Sequence, residues 1–109
     1  MDIENYHAHL YYTADQLTKA KELGHYVATK FDLQLGRFHE RPVGPHPSWS
    51  CQLTIEPEKF GEVVQYLLVE HGDIDVFIHA NTGRDLEDHT RHVMWIGKSY
   101  ELKTSMFEF

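Results

Sequence analysis

Apolar and polar residues alternate in several short stretches of this chain, a pattern typical of half-buried β-strands. In the first stretch, residues 5–12, His7 and His9 share one face while Ala8 and Leu10 share the other. Alternation or runs of aromatic and β-branched residues predict further strands at residues 33–39, 49–55 and 74–79, with residues 93–96 as a candidate fifth strand.

Two stretches between these strands carry apolar residues at helical spacing instead. Thr13 with Gln16 three positions later is a candidate capping box, and it predicts a helix over residues 14–30. Pro57 at a first-turn position and Gly72 at the end of an apolar stripe predict a second helix between them.

The order of these elements, β-α-β-β-α-β, is that of an α+β ferredoxin-like sandwich, in which two helices cover one face of a sheet and leave the other open. The chain has 109 residues, of which 41% are apolar, enough for one core, so we expect a single domain over residues 1–109. The open face would carry Tyr11, Phe77 and several histidines. Because such a face needs to be covered, we expect a homodimer.

Charge and cysteine content narrow the classes of function. The formal charge is −7, from 17 acidic and 10 basic residues, which opposes binding to nucleic acid. No apolar run approaches the roughly 20 residues that span a bilayer, and the first residues lack the layout of a signal peptide. We therefore expect no membrane association and a cytoplasmic location. Cys51 is the single cysteine, and we expect a buried thiol rather than a disulfide or a cysteine-rich zinc site.

Histidine is unusually frequent, with nine among 109 residues. Imidazole is the usual protein ligand for zinc, iron and copper, and it is also the acid-base group that titrates near neutral pH. His7 and His9 project from the same face of a strand and can reach one ion, although such a pair alone is more often incidental. His79 ends the strand that would lie beside the first, and it would share their face if Val76 and Ile78 pack on the helices. The predicted pairing therefore brings three imidazoles together.

Two polar loops supply further candidate residues. Three prolines and a glycine within residues 42–47 exclude helix and fix a stiff connection that sets the direction of His46. Residues 81–90 form a second polar loop, whose end either caps the next element or places His89 as an acid-base group. Of the remaining histidines, His25 and His71 are expected at the surface, and His92 has no assigned role.

Six short motifs follow one another along nearly the whole chain. They are Tyr6-His7-Ala8-His9, Gly36-Arg37-Phe38-His39, Pro42-Val43-Gly44-Pro45-His46-Pro47, Thr82-Gly83-Arg84-Asp85, Asp88-His89-Thr90 and Trp95-Ile96-Gly97. This series resembles the DOPA 4,5-dioxygenase family, extradiol dioxygenases that open a catechol ring. The resemblance implies a ferredoxin-like fold that pairs through its sheets as a dimeric α/β barrel. It also implies an Fe(II) cofactor, with zinc or another divalent ion as an alternative, and a catechol and O2 as the small molecules bound.

The resemblance implies three groups of residues at one site: metal ligands, proton-transfer groups and substrate-binding groups. An incomplete set of protein ligands would leave room on the metal for a catechol and O2, and an arginine could hold a substrate carboxylate through two hydrogen bonds. The implied ligands are His7, His9, His46 and His79, with Glu40 as a candidate carboxylate; the implied proton-transfer residues are His39 and His89; the implied substrate-binding residues are Arg37, Arg41 and Gln52.

Two positions depart from the family pattern. Ser50 and Cys51 precede Gln52 where a methionine and an aromatic residue are usual, and Ala80 follows His79 where proline is usual. Substitutions near a substrate pocket change which catechol is accepted, so the sequence leaves the natural catechol open.

Two other classes of function fit the same residues. A closed site with four ligands would make the chain a non-catalytic, zinc-binding module. Histidines that act only as acid-base groups would make it a cofactor-free cyclase or isomerase of the dimeric-barrel type. The identity of the bound metal, and the survival of activity after chelation, separate the three classes.

Overall fold

The computed structural model describes residues 2–107 as a mixed α+β fold. Its five strands form one antiparallel sheet in the order β2-β3-β1-β4-β5. The expected domain over residues 1–109 extends outside the described residues at position 1 and at 108–109, and it stays a prediction. The strands are β1 (Asn5–Tyr12), β2 (Gln34–Leu35), β3 (Trp49–Ile55), β4 (Asp75–Asn81) and β5 (Val93–Ile96), and the helices are α1 (Leu17–Phe31), α2 (Phe60–Glu70) and α3 (Asp85–Thr90).

Both long helices begin close to where the sequence predicts. The Thr13 N–H donates a hydrogen bond to Gln16 Oε1 at 3.0 Å, and one 3₁₀ turn, Ala14–Gln16, precedes α1. A second 3₁₀ turn, Pro57–Lys59, precedes α2 and has the proline in its first turn. Gly72 follows α2 with a φ of 59°, a left-handed conformation that glycine adopts without strain. None of the helices within residues 2–107 is both long enough and apolar enough to cross a membrane.

The second strand is shorter than the predicted extended segment of residues 33–39. Only Gln34–Leu35 pairs with β3. Beyond it, Phe38 packs against α1 so closely that a Cβ on Gly24 would lie 2.8 Å from the Phe38 ring. The ring occupies the space that a glycine leaves. The segment still runs beside β3, because the Gly36 N–H donates to the Gln52 carbonyl at 2.8 Å and the His39 N–H donates to the Ser50 carbonyl at 3.0 Å.

The predicted polar loop of residues 81–90 contains the short helix α3, which the sequence analysis missed. Asp88 lies inside this helix and does not cap a following element. Its buried carboxylate accepts hydrogen bonds from the N–H and the hydroxyl of Thr82, both at 2.7 Å, and so ties the start of the segment to the helix. A helix of six residues has too few apolar positions to produce a recognisable period.

The hydrophobic core lies between the sheet and the two long helices. Cys51 is buried in it, as expected, and burial raises the pKa of its thiol to about 12. The alternation in β1 places alternate side chains in this core, which confirms the predicted division of the strand into two faces. Core residues include Ala8, Leu10, Leu53, Ile55, Val76 and Ile78 from the strands, and Ala20, Val27, Val63 and Leu67 from the helices.

The opposite face of the sheet is covered within the same chain. Tyr11 is 1% exposed and Phe77 is 0% exposed. The Trp95 ring stacks on Phe77 with 4.5 Å between ring centres, and the Tyr100 ring meets Tyr11 edge-on at 5.0 Å. The expectation that this face is open and exposes Tyr11 and Phe77 is therefore wrong, because the Trp95 side chain of the edge strand β5 and the Tyr100 side chain after it cover these residues. The argument for a homodimer that starts from an open face no longer holds.

Two adjacent leucines in α2 test which side of the helix is core. Leu67 is 0% exposed and Leu68 is 60% exposed. Leu67→Ala should lower the free energy of unfolding by about 2–5 kcal/mol, because it leaves a cavity. Leu68→Ala should change it by less than about 0.5 kcal/mol. Urea denaturation followed by circular dichroism measures both values, and equal losses would contradict this packing.

Candidate metal centre

Three histidines converge on the covered face of the sheet. Antiparallel pairing of β1 with β4 sets His7 directly opposite His79, and His9 follows two residues later on the same face. The ligand nitrogens of the three side chains all lie within 4.8 Å of one another. We call these residues the histidine trio. The register therefore brings these three imidazoles together, as predicted.

The geometry of the trio fits a divalent ion. His9 Nε2 and His79 Nε2 are 3.2 Å apart. Two imidazole nitrogens, each about 2.1 Å from a shared ion, would be separated by about 3.0 Å in octahedral and about 3.4 Å in tetrahedral geometry. The observed separation lies between these values, so the trio could hold either iron or zinc.

A hydrogen bond fixes which nitrogen of His79 faces the trio. His79 Nδ1 lies 3.1 Å from the backbone oxygen of Ala80. A carbonyl oxygen only accepts hydrogen bonds, so Nδ1 carries the hydrogen and Nε2 keeps its lone pair. This is the usual way in which a protein orients a metal-binding histidine.

Burial keeps the trio neutral at pH 7. It lowers the pKa of His79 to about 4, with smaller contributions from the nearby His89 and His7. The pKa of His9 lies well below its usual value because of burial and then the neighbouring His46 and His79. The pKa of His7 is lowered by burial and by His89. Neutral imidazole is the form that binds a metal, so these shifts favour coordination at neutral pH.

His46 lies beside the trio but not within it. The ring centres of His46 and His9 are 4.1 Å apart, and His46 is buried. Its Nδ1 is 2.7 Å from the hydroxyl of Tyr11, and its backbone N–H donates to Val43 at 3.1 Å within the proline-rich loop. The loop thus places His46 against the face of the sheet that carries the trio. Among residues 2–107, only the ligand atoms of the trio lie close enough together to hold one ion. Its role as a fourth ligand stays a prediction.

His89 reaches the trio from α3. Its ring centre lies 4.2 Å from that of His79, and the ring stacks on Phe107 at 4.6 Å. His89 Nδ1 is 2.8 Å from the backbone oxygen of Asp85, so Nδ1 donates and Nε2 is left as a proton acceptor. The motif containing His89 indicated its position, but no sequence signal indicated the contact with Phe107.

The predicted substrate-binding arginines lie together in the segment between β2 and β3. Arg37, Arg41, His39 and Glu40 line a cavity of about 340 Å³. Arg37, Arg41 and Glu40 are exposed, and Glu40 is not among the residues whose ligand atoms converge. Gln52, the third predicted substrate-binding residue, is the β3 neighbour of His9 in the sheet, and its side chain donates to Thr54 Oγ1 at 3.3 Å.

The other histidines have separate environments. His25 is exposed on α1, as expected. His71 is half-buried at the end of α2, so the expected surface position is only partly right, and its Nδ1 donates to the backbone oxygen of Ile74 at 2.7 Å. His92 Nδ1 is 2.8 Å from the carboxylate of Asp88 and helps to hold α3 in place.

The lowered histidine pKa values imply that the metal-free protein is sensitive to acid. Burial lowers the pKa of both His46 and His79 from 6.5 to about 4. A depressed pKa contributes stability that is complete above the unfolded value and is lost as the pH falls toward the folded value. The melting temperature of the chelated protein should fall between pH 6.5 and pH 4. In His79→Gln the melting temperature should fall less steeply with decreasing pH. The control His25→Gln, changed at an exposed histidine, should keep the wild-type slope. The same slope in the wild-type protein and both variants would contradict a buried neutral His79.

Comparison with known proteins identifies relatives of this chain. An uncharacterised 21.2 kDa protein of Botryotinia fuckeliana is 31% identical over 110 residues, covering 90% of this chain and 60% of that protein. A DOPA 4,5-dioxygenase of Amanita muscaria is 28% identical over 114 residues, covering 93% of this chain and 48% of that protein. The chain therefore spans about half to three fifths of the length of these curated relatives.

A solved structure shares the fold across almost the whole chain. It is the crystal structure of a candidate dioxygenase from Nostoc punctiforme, 31% identical in sequence, with a TM-score of 0.92 over 94% of this chain and 90% of that one. The model of the Dopa 4,5-dioxygenase family matches residues 6–106, a span that includes the whole histidine trio. The chain belongs to the Dopa 4,5-dioxygenase family.

Proposed function

We propose that this chain is an extradiol dioxygenase, which uses Fe(II) and O2 to cleave a catechol such as DOPA beside its diol. The observation that carries the proposal is the convergence of His7, His9 and His79 in a chain of this family. Three protein ligands leave positions for both oxygens of a catechol and for O2. We therefore propose the trio as the ligand set, with His46 and Glu40 outside it.

The residues around the trio would exclude water from it. Phe77 lies 5.8 Å from His9 and 5.4 Å from His79 between ring centres, and it is fully buried. Bound iron would supply a Lewis acid that stabilises the catecholate and a place where substrate and O2 meet. The buried Phe77 ring strengthens these electrostatic effects because an apolar neighbour lowers the local dielectric constant.

Proton transfer would come from a histidine outside the ligand set. His89 Nε2 has a free lone pair because Nδ1 donates to the backbone, so His89 is suited to accept a proton from a catechol hydroxyl. His39 is the second candidate, and it lines the same cavity as the arginines. In that cavity, Arg37 or Arg41 would hold a carboxylate such as that of DOPA.

We also propose that the fold is ferredoxin-like. The first four strands pair in the order β2-β3-β1-β4, with α1 and α2 against one face. A homodimer remains a prediction, but a dimeric barrel formed through the histidine faces would have to displace the cover already present in one chain. Light scattering at micromolar concentration tests dimer formation, and only monomer would contradict it.

Metal content tests the ligand set. The wild-type chain should bind one divalent ion, and His7→Ala, His9→Ala and His79→Ala should each weaken binding by roughly tenfold or more, because each removes a ligand. His25→Ala, an exposed histidine away from the trio, is the matched control. Titration with Fe(II) under anaerobic conditions measures the affinities. Wild-type affinity in all three variants would contradict the assignment.

Turnover tests the reaction. Protein loaded with Fe(II) should consume O2 with a catechol and form a yellow semialdehyde, while phenols with one hydroxyl should not react. His89→Ala should retain the metal and lose about a hundredfold or more in rate if His89 transfers the proton. Oxygen uptake and absorbance with DOPA, protocatechuate and catechol measure both effects. Unchanged turnover in His89→Ala would contradict its role.

The same experiments separate the two alternative functions. A closed tetrahedral zinc site and no cleavage of any catechol by iron-loaded protein would favour a non-catalytic metal module. Activity that survives complete chelation would favour a cofactor-free cyclase or isomerase. Loss of catechol cleavage on chelation, with recovery after Fe(II) is added, would favour the dioxygenase.

A further inference from the structure

We propose that Tyr11 and His46 form a pair in which Tyr11 holds His46 as a hydrogen-bond donor to the bound substrate, rather than as a metal ligand. The role toward substrate rests on the proposed function, whereas the state of His46 rests only on contacts within the chain. Tyr11 would be a positioning residue, and His46 the residue that touches the substrate.

The contact between the two residues decides where the hydrogen on His46 lies. The Tyr11 hydroxyl and His46 Nδ1 are 2.7 Å apart, and both residues are buried. If Nδ1 carried the hydrogen, the hydroxyl hydrogen of Tyr11 would need another acceptor. Within residues 2–107 the hydroxyl has no partner other than His46, and no buried side-chain polar atom lacks a hydrogen bond.

The surroundings of Tyr11 exclude the alternative on energetic grounds. Phe77, Trp95 and Tyr100 pack around its ring and Tyr11 is 1% exposed, so a hydroxyl hydrogen without an acceptor would be buried. Burying a hydroxyl without a hydrogen-bond partner is unfavourable. The hydroxyl therefore donates to Nδ1, and the hydrogen of the neutral imidazole lies on Nε2.

This state distinguishes His46 from the histidines whose Nδ1 faces a carbonyl. His79 and His89 donate through Nδ1 to the backbone, so their Nε2 atoms keep free lone pairs. A protonated Nε2 on His46 cannot bind a metal, because its lone pair is occupied by the hydrogen. His9 Nε2 lies 3.2 Å from the lone pair of His79 Nε2, so in the metal-free protein it donates to His79, and it would give up this hydrogen when an ion binds. His46 differs because the Tyr11 hydroxyl occupies its Nδ1 and holds the hydrogen on Nε2.

A donor beside the trio has a defined use. Oxygen atoms of a catechol become negatively charged when they bind a metal, and an N–H held in a water-poor site stabilises such charge without being reorganised. His46 would donate this hydrogen bond while remaining neutral. Full proton transfer would leave either an imidazolate or a buried Tyr11 phenolate, and burying an unpaired charge is costly.

Nuclear magnetic resonance tests the state of His46 without any turnover. Long-range ¹H–¹⁵N correlation spectra of the full chain at neutral pH, with and without Zn(II), report which ring nitrogen is protonated. His46 should carry hydrogen on Nε2 in both states, while the trio nitrogens shift on adding zinc. Tyr11→Phe should populate the other tautomer, and Tyr100→Phe, whose hydroxyl donates to Asp75 instead, should not. A zinc-induced loss of the Nε2 hydrogen, or a tautomer unaffected by Tyr11→Phe, would overturn the assignment.

Kinetics tests the role toward substrate. His46→Leu should keep one metal ion per chain and lose roughly a hundredfold in kcat, the usual effect of removing such a donor, with little change in KM. His46→Gln, which retains an N–H donor, should recover part of the rate. Loss of metal in both variants would overturn the proposal and make His46 a ligand. If the wild-type protein cleaves no catechol, the function and the donor role both fail, while the spectra still decide the tautomer.

Discussion

The candidate site depends on the antiparallel register of β1 with β4. β1 is the central strand, paired on one side with β3 and on the other with β4. Because side chains alternate, a register that sets His7 opposite His79 also places His9 on the same face, next to Phe77. A shift of β1 by one residue would turn His7 and His9 toward the apolar core on the other face and away from His79. The packing of Ala8 and Leu10 on the helices therefore fixes the position of the trio.

Gathering several neutral imidazoles in a covered site has a cost that the rest of the fold must offset. Burial and mutual repulsion disfavour their protonated forms, which is why the pKa values of His9, His46 and His79 fall together. Backbone acceptors fix the ring orientations of His79 and His89, and the Tyr11 hydroxyl fixes that of His46, before any ligand arrives. Preorganisation of this kind lets a site bind an ion without rearranging. The apolar core on the other side of the sheet supplies the stability that the site does not.

Local patterns were sufficient to predict the elements that form the site. Features that depend on contacts between residues distant in sequence could not be predicted from these patterns. Alternation located β1 and β3, and helical spacing with the capping pair at Thr13 located α1. The short α3 could not be predicted because it depends on the Asp88 carboxylate, and neither could the packing of Phe38 against Gly24, since both contacts are made only in the folded chain. For the same reason the sequence placed His46 near the site but could not show that its Nδ1 is taken by a tyrosine.

We propose that His7, His9 and His79 hold one metal ion, and the whole candidate site depends on this assignment. The most direct test is an anomalous difference map, recorded at the iron absorption edge, from crystals soaked anaerobically with Fe(II). We expect one peak on the covered face of the sheet, about 2.0–2.3 Å from a ring nitrogen of each of the three histidines. A peak bound instead through His46, or no peak at the trio in crystals that contain iron, would contradict it.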